Sequence, residues 1–359
     1  MKIQSLKYTT PFTVYLLAII SFTNTGWACW LPLIYAWILI PVVELFLKPN
    51  LKNLEQAEEV LAKQDKTYDY ILYLIVFLQF PILFFFLKSM QQNNLNGYDI
   101  FARIWTMGLL CGSFGINVGH ELGHRVNKFE QWLAKASLAS SLYMHFFIEH
   151  NKGHHKNVAT KEDPSSARKN EVLYIFLIRS IIYSYISAWK IANSEMRKKQ
   201  RSVISIHNEM IQAHIIQFAF VGLIFWMFGL TITLYFLNAA LVGIGLLETV
   251  NYIEHYGLSR KEGADGKYER AMPHHSWNSN HIIGRIMLFE LSRHSDHHFL
   301  ASRKYQVLRH HNQAPQMPTG YPGMMILSSF PPAWFYVMHK QIKKIEMEEV
   351  QNTKQLQSA

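Results

Sequence analysis

Six stretches of the chain approach the length and apolarity needed to cross a lipid bilayer: residues 10–25, 30–47, 70–87, 100–119, 211–229 and 231–250. A crossing takes about 20 mostly apolar residues for a hydrocarbon core of about 30 Å. Inside lipid every backbone N–H and C=O must find its partner within the protein, so such runs fold as helices. The expected class is therefore all-α, a polytopic membrane protein with six transmembrane helices. Pro41 and Pro81 lie inside two of the runs and are expected to kink them. The last two runs are joined by almost nothing, which predicts a helical hairpin. Composition agrees, because only 17% of the 359 residues are charged, against about 25% in soluble domains. Lys2 and Lys7 before an apolar run, with Ala28 after it, outline a secretory signal. Five further spans follow and no clean small-x-small site is present, so a retained first helix is expected.

Charge sets the expected orientation. With both termini on one side, the outer connections fall near residues 26–29, 88–99 and 230. Of 35 lysines and arginines, only Lys88 and Arg103 lie at or near those outer ends. That bias places the basic face, and the net charge of +10, on the cytoplasmic side of a plasma (bacterial inner) membrane, facing anionic lipid. No aromatic-basic strip or fold motif points to nucleic acid. Residues 172–190 are long enough to span but carry Arg179 at their centre, which predicts an amphipathic helix in the interface. Residues 1–340 read as a single membrane domain. The polar tail, 341–359, lacks apolar periodicity near its end and is expected to fray.

The 18 histidines are clustered, and none precedes residue 120. HELGH carries His120 and His124, four apart and so on one helical face. EHNKGHH carries His150, His154 and His155, with the last turned about 100° from its neighbour. NYIEHYG carries His255, and RHSDHH carries His294, His297 and His298 at spacings that share a face. On the six-span topology all four groups emerge at one membrane face. Imidazole suits iron, zinc or copper. Nine such ligands exceed what one ion takes and match two ions with open positions; two structural zinc sites are the counting alternative. Cys29 and Cys111 are the only cysteines, so neither a disulfide scaffold nor a cysteine-built zinc or iron–sulfur site can form within the chain. His274, His275 and His281 fall between ligand groups and are intermediate. His145, His207, His214, His310, His311 and His339 read as ordinary core or surface residues.

HELGH alone also fits the zinc-protease motif HExxH, with Glu121 as general base. That reading leaves seven of the clustered histidines unexplained. A metal carrier would hold its ligands near mid-membrane, not at helix ends.

The four groups, in order, resemble the motifs of the integral-membrane alkane monooxygenases of AlkB type, within the wider desaturase–hydroxylase superfamily. HELGHR at 120–125, EHNKGHHKNVAT at 149–160, NYIEHYGL at 251–258 and LSRHSDHHF at 291–299 carry the resemblance, with HHSWNSNH at 274–281 and PTGYPG at 318–323. It runs from about Pro41 to Met338. The resemblance implies two non-haem iron ions held by all nine histidines. It also implies O2 activation and oxygen insertion into a terminal C–H bond of an n-alkane, with electrons from NAD(P)H through a reductase and rubredoxin. A fatty-acyl or alkylbenzene hydroxylase, or a desaturase, is the nearest alternative. Glu121, Glu149, Glu254 and Asp296 adjoin ligands and are candidates to orient them. No CxxC pair is present, so the rubredoxin is expected to be a separate protein. The run Arg197, Lys198, Lys199 and Arg201 is a candidate dock for its acidic surface. An alkane dissolves in lipid and is expected to enter between helices, with Ala36 near the position that sets channel length.

Overall fold

The computed structural model describes residues 2–358. Among these no β-strand forms; the only pairings are two isolated bridges, Glu262 to Tyr268 and Asn278 to Gln316. After a short helical stretch at Lys2–Leu6 the chain forms α1 (Phe12–Thr23) and α2 (Gly26–Phe46). Helices α3 (Gln56–Gln64) and α4 (Thr67–Ser89) follow. Helix α5 (97–123) is interrupted by a π segment at Cys111–Ile116. Then come α6 (Lys128–Ser140), the short α7 (146–157) and α8 (Leu173–Lys198).

The predicted hairpin is present. Helices α9 (209–228) and α10 (230–255) meet at Gly229, whose φ of 75° and ψ of 177° break the helix. Glycine adopts such a backbone without a Cβ penalty. Phe220 and Phe236, on either side of the break, bring their rings to 5.8 Å, so the chain folds back on itself. After α10 come α11 (His294–Phe299), α12 (Tyr321–Ser328) and α13 (Pro331–Ser358). Helix α13 continues into the segment expected to fray.

The apolar runs thus appear as helices close to their expected bounds. Gly26–Phe46, Thr67–Ser89, Leu173–Lys198 and Glu209–His255 are long and apolar enough to cross a membrane. Phe77, Phe218, Trp226 and Leu241 point outward and are exposed. An apolar belt of that extent belongs in lipid, not water. The prolines act differently from each other. Pro41 cannot donate to the carbonyl four residues back, and the turn before it widens into a π segment at Tyr35–Leu39. Helix α4 runs unbroken through Pro81.

Two contacts hold the bundle in the shape the site needs. Helices α5 and α10 touch at glycines. A Cβ on Gly243 would lie 2.6 Å from the Cys111 Cβ and 2.9 Å from the Gly112 nitrogen. Small residues let membrane helices approach this closely. At the opposite end, the buried Arg103 donates to the carbonyls of Ser89 (2.8 Å) and Asn24 (2.7 Å), tying the ends of α4 and α1 together. This buried cation therefore has a structural role. Arg179 in α8 is likewise satisfied, by Glu171 at 2.6 Å and the carbonyls of Pro164 and Ser166.

Candidate metal centre

The imidazoles converge because their helices are not regular. Helix α7 widens into a π turn over His150–His154, in which the His155 N–H reaches back five residues to the His150 carbonyl. In a regular helix His155 would point well away from His150. The extra residue in the turn swings it back to the same side. Helix α5 carries His120 and His124 just beyond its own π segment. Helix α10 ends at His255, and the single turn of α11 presents His294, His297 and His298.

All nine histidines meet, in two groups. His120, His124, His150, His155 and His297 form one; His154, His255, His294 and His298 form the other. Within each group the ligand atoms all lie within 4.8 Å of one another. The groups adjoin, with the rings of His155 and His298 centred 4.5 Å apart. Each neighbouring pair, His154–His155 and His297–His298, is split between them. Spacing in α11 suggested one shared face, but His297 serves the first group while His294 and His298 serve the second.

The donor set fits a metal ion. In the first group Nε2 faces Nε2 at 2.9 Å for His120–His297, 3.1 Å for His124–His150, and 3.0 Å for both His150–His155 and His155–His297. Adjacent nitrogens around an ion with metal–nitrogen bonds of about 2.1 Å stand about 3.0 Å apart. In the second group the Nε2 distances are 3.1 Å for His255–His294 and 2.9 Å for His294–His298. A neutral imidazole has one N–H, so converging Nε2 atoms cannot all be paired by hydrogen bonds among themselves. Burial and the neighbouring imidazoles hold His150, His155, His294, His297 and His298 well below the ordinary histidine range, which keeps them neutral. His154 differs. Burial alone would push it down, but the Asp163 carboxylate, together with Glu149 and Glu248, outweighs burial and raises it. Its Nδ1 lies 2.9 Å from Asp163 Oδ2, while its buried Nε2 has no hydrogen-bond partner. Such a carboxylate–imidazole pair fixes the tautomer and aims the free nitrogen at the centre.

Asp163 was not singled out in the sequence. The Ser166 hydroxyl donates to its Oδ2 at 2.5 Å and the Ser165 N–H to its Oδ1 at 3.1 Å. The cue available was an acid nine residues past His154, between Glu162 and Pro164. The four expected carboxylates have separate fates. Glu254 Oε1 lies 3.2 Å from His294 Nδ1 and accepts from the Tyr321 hydroxyl at 2.7 Å. Tyr321 belongs to the PTGYPG segment. Glu149 keeps its buried Oε1 without a hydrogen-bond partner. Glu121 accepts from Arg125 Nη2 at 2.6 Å and the Tyr305 N–H at 3.2 Å. That ion pair removes the free general base an HExxH protease needs. Asp296 faces away from the imidazole groups, toward His311 Nε2 (2.7 Å), Arg303 Nε (3.1 Å) and the Arg309 N–H (2.9 Å).

The intermediate histidines lie apart. His274 and His275 gather with Glu269. The Met272 N–H donates to His275 Nδ1 at 2.9 Å, so the His275 Nε2 carries the proton and points it at Glu269, 3.3 Å away. His281 pairs with the Ser279 hydroxyl at 3.0 Å. His145 is buried beside Tyr143; His214, His310 and His339 pair with Tyr185, Asn280 and Tyr256. The backbone N–H of His207 donates to the Ser205 hydroxyl oxygen at 3.3 Å.

An apolar cavity of about 70 Å³ is lined by Ala36, Trp37, Leu109, Ser113, Asn117 and Leu291 among others. It lies between the π segments of α2 and α5. Asn117 and Leu291 are each three residues from a ligand-bearing position, His120 and His294.

Comparison with known proteins agrees with this geometry. Residues 100–328 match the model of the fatty acid desaturase family. Alkane 1-monooxygenase 1 of Alcanivorax borkumensis is 36% identical over 337 residues, covering 91% of this chain and 83% of that protein. Alkane 1-monooxygenase of Pseudomonas putida is 38% identical, covering 87% and 78%. Alkane 1-monooxygenase 1 of Pseudomonas aeruginosa is 44% identical over 240 residues, covering 67% and 63%. The chain belongs to the fatty acid desaturase family, within its alkane 1-monooxygenase branch.

Proposed function

We propose that the chain hydroxylates the terminal methyl of n-alkanes to 1-alkanols, using O2 and two non-haem irons held by the nine histidines. The observation that carries this is the convergence of nine imidazoles into two groups whose nitrogens stand at metal-ligand spacing, in a chain that also holds an apolar cavity. An unactivated methyl offers no acid–base handle, so a redox metal must supply the oxidising power and the O2 chemistry. The protein does the rest. His120, His124, His150, His155 and His297 would hold one iron; His154, His255, His294 and His298 would hold the other. Asp163 and Glu254 orient His154 and His294. Apolar walls around Ala36 and Leu109 take up the chain and keep water from the reacting end.

Convergence of the imidazoles supports a six-span topology. His124 and His150 meet with no long apolar helix between them, and His154 meets His255. The number of crossings between residues 155 and 255 must therefore be even. The α9–α10 hairpin accounts for two, which leaves α8 lying in the interface. With α1, α2, α4 and α5, six spans result, and the basic bias puts the irons at the cytoplasmic face of the plasma membrane. Residues 1–340 form one hydroxylase domain on this reading. A rubredoxin served by an NAD(P)H-dependent reductase would bring the electrons. The run Arg197, Lys198, Lys199 and Arg201 supports docking of an acidic partner. Neutralising it is expected to abolish the salt dependence of rubredoxin-coupled turnover; unchanged kinetics would assign the run to lipid charge alone.

The decisive assay combines the purified chain, rubredoxin, its reductase and NADH with n-alkanes of several lengths, read by gas chromatography and metal analysis. Primary alcohols and about two irons per chain are expected. One zinc and no O2 consumption would overturn the reading. Product from only fatty-acyl or alkylbenzene substrates would move it to a related hydroxylase.

A further inference from the structure

A second cavity, of about 430 Å³, has Asp163 in its wall and none of the nine histidines. It is polar and basic. Lys161, Arg168, Arg179 and Lys190 line it, with Asp163 and Tyr183. Two of these charges are already committed: Arg179 to Glu171, and Asp163 to His154 and Ser166. The ammonium groups of Lys161 and Lys190 make no hydrogen bond or ion pair among the described residues. The acid beside Lys161, Glu162, also lines the cavity and interacts with Tyr268. The cavity thus offers free positive charge to a visitor.

Its rim identifies the visitor. Arg179, Tyr183 and Lys190 lie along one stripe of α8, and the exposed Ile175, Ile178 and Ile182 form the adjoining stripe. The wall of the pocket includes Ile186, also exposed, one turn along α8 from Ile182. Tyr183, exposed at their boundary, has the amphipathic ring that favours the headgroup level. We infer that this cavity binds the phosphate of an anionic phospholipid, with Lys161 and Lys190 on the headgroup and the acyl chains along Ile178 and Ile182. The inference rests on α8 lying in the interface. A soluble phosphate ester would use the same lysines but would leave the isoleucine stripe without a function.

The test uses the full chain in detergent, titrated with phosphatidylglycerol or phosphatidylcholine and read by native mass spectrometry. One phosphatidylglycerol is expected to remain bound where phosphatidylcholine is lost. The variant Lys161→Gln/Lys190→Gln is expected to weaken that binding about tenfold or more. Both lysines are exposed, so the fold should tolerate the change. Equal retention of phosphatidylglycerol by the variant would overturn the site. Displacement by millimolar inorganic phosphate would make it a free-phosphate site, and displacement by rubredoxin a protein dock; either overturns the lipid assignment. A spin label at Ile182→Cys reads the helix position independently. Accessibility to oxygen but not to a water-soluble nickel reagent supports the interface, whereas a label in water would remove the premise and not only the site.

Discussion

At the scale of single residues, histidine positions were legible and their partners were not. A His at four-residue spacing announces itself, but the carboxylate that aims it can come from anywhere that folding brings close. Asp163 reaches His154 from a loop, and Glu254 approaches His294 from the end of another helix. Asp296, although two residues from His294, turns outward to brace arginines. Adjacency in sequence was therefore a poor guide to contact. Asp163→Asn should keep the fold and lower metal affinity by about 10–100-fold, read as iron retained after dialysis against a graded chelator. Full retention would reduce Asp163 to a loop residue. Ala36 borders the apolar cavity, where a larger side chain occupies the space a substrate needs. Ala36→Trp should shift the preferred alkane to shorter chains, at an overpacking cost of roughly 1–3 kcal/mol. An unchanged product profile by gas chromatography would discard that role.

At the scale of elements, apolar runs located the helices but not their irregularities. The π turns of α2, α5 and α7 have no strong local signature; only Pro41 hinted at one. Yet the α7 turn lets His150 and His155 share a group. The glycine contact between α5 and α10 matters in the same way, because α5 carries His120 and His124 while α10 carries His255. Gly243→Val would force those helices apart. It should cost roughly 1–3 kcal/mol and lower iron content, measured by thermal unfolding and metal analysis. Gly245 has open space around its Cβ position, so Gly245→Val is the control and should change neither.

At the scale of the whole molecule, topology is constrained by where the histidines meet. An even number of crossings must separate successive ligand groups. Exposed Asn94 and Leu230 should therefore face one side of the membrane, and exposed Gln4 and Glu346 the other. Single cysteines at these four positions, probed with an impermeant maleimide on intact cells, should label at Asn94→Cys and Leu230→Cys only. Cys29 and Cys111 are buried and should contribute little background. Label at Gln4→Cys or Glu346→Cys without permeabilisation would break the six-span arrangement. Helix class, the α9–α10 hairpin and the nine clustered histidines could be read in the chain, because apolarity and spacing are local properties. The division of those histidines into five and four could not be. It depends on π turns and a glycine contact that rotate four separate segments against each other, and rotation between distant segments is a property of packing.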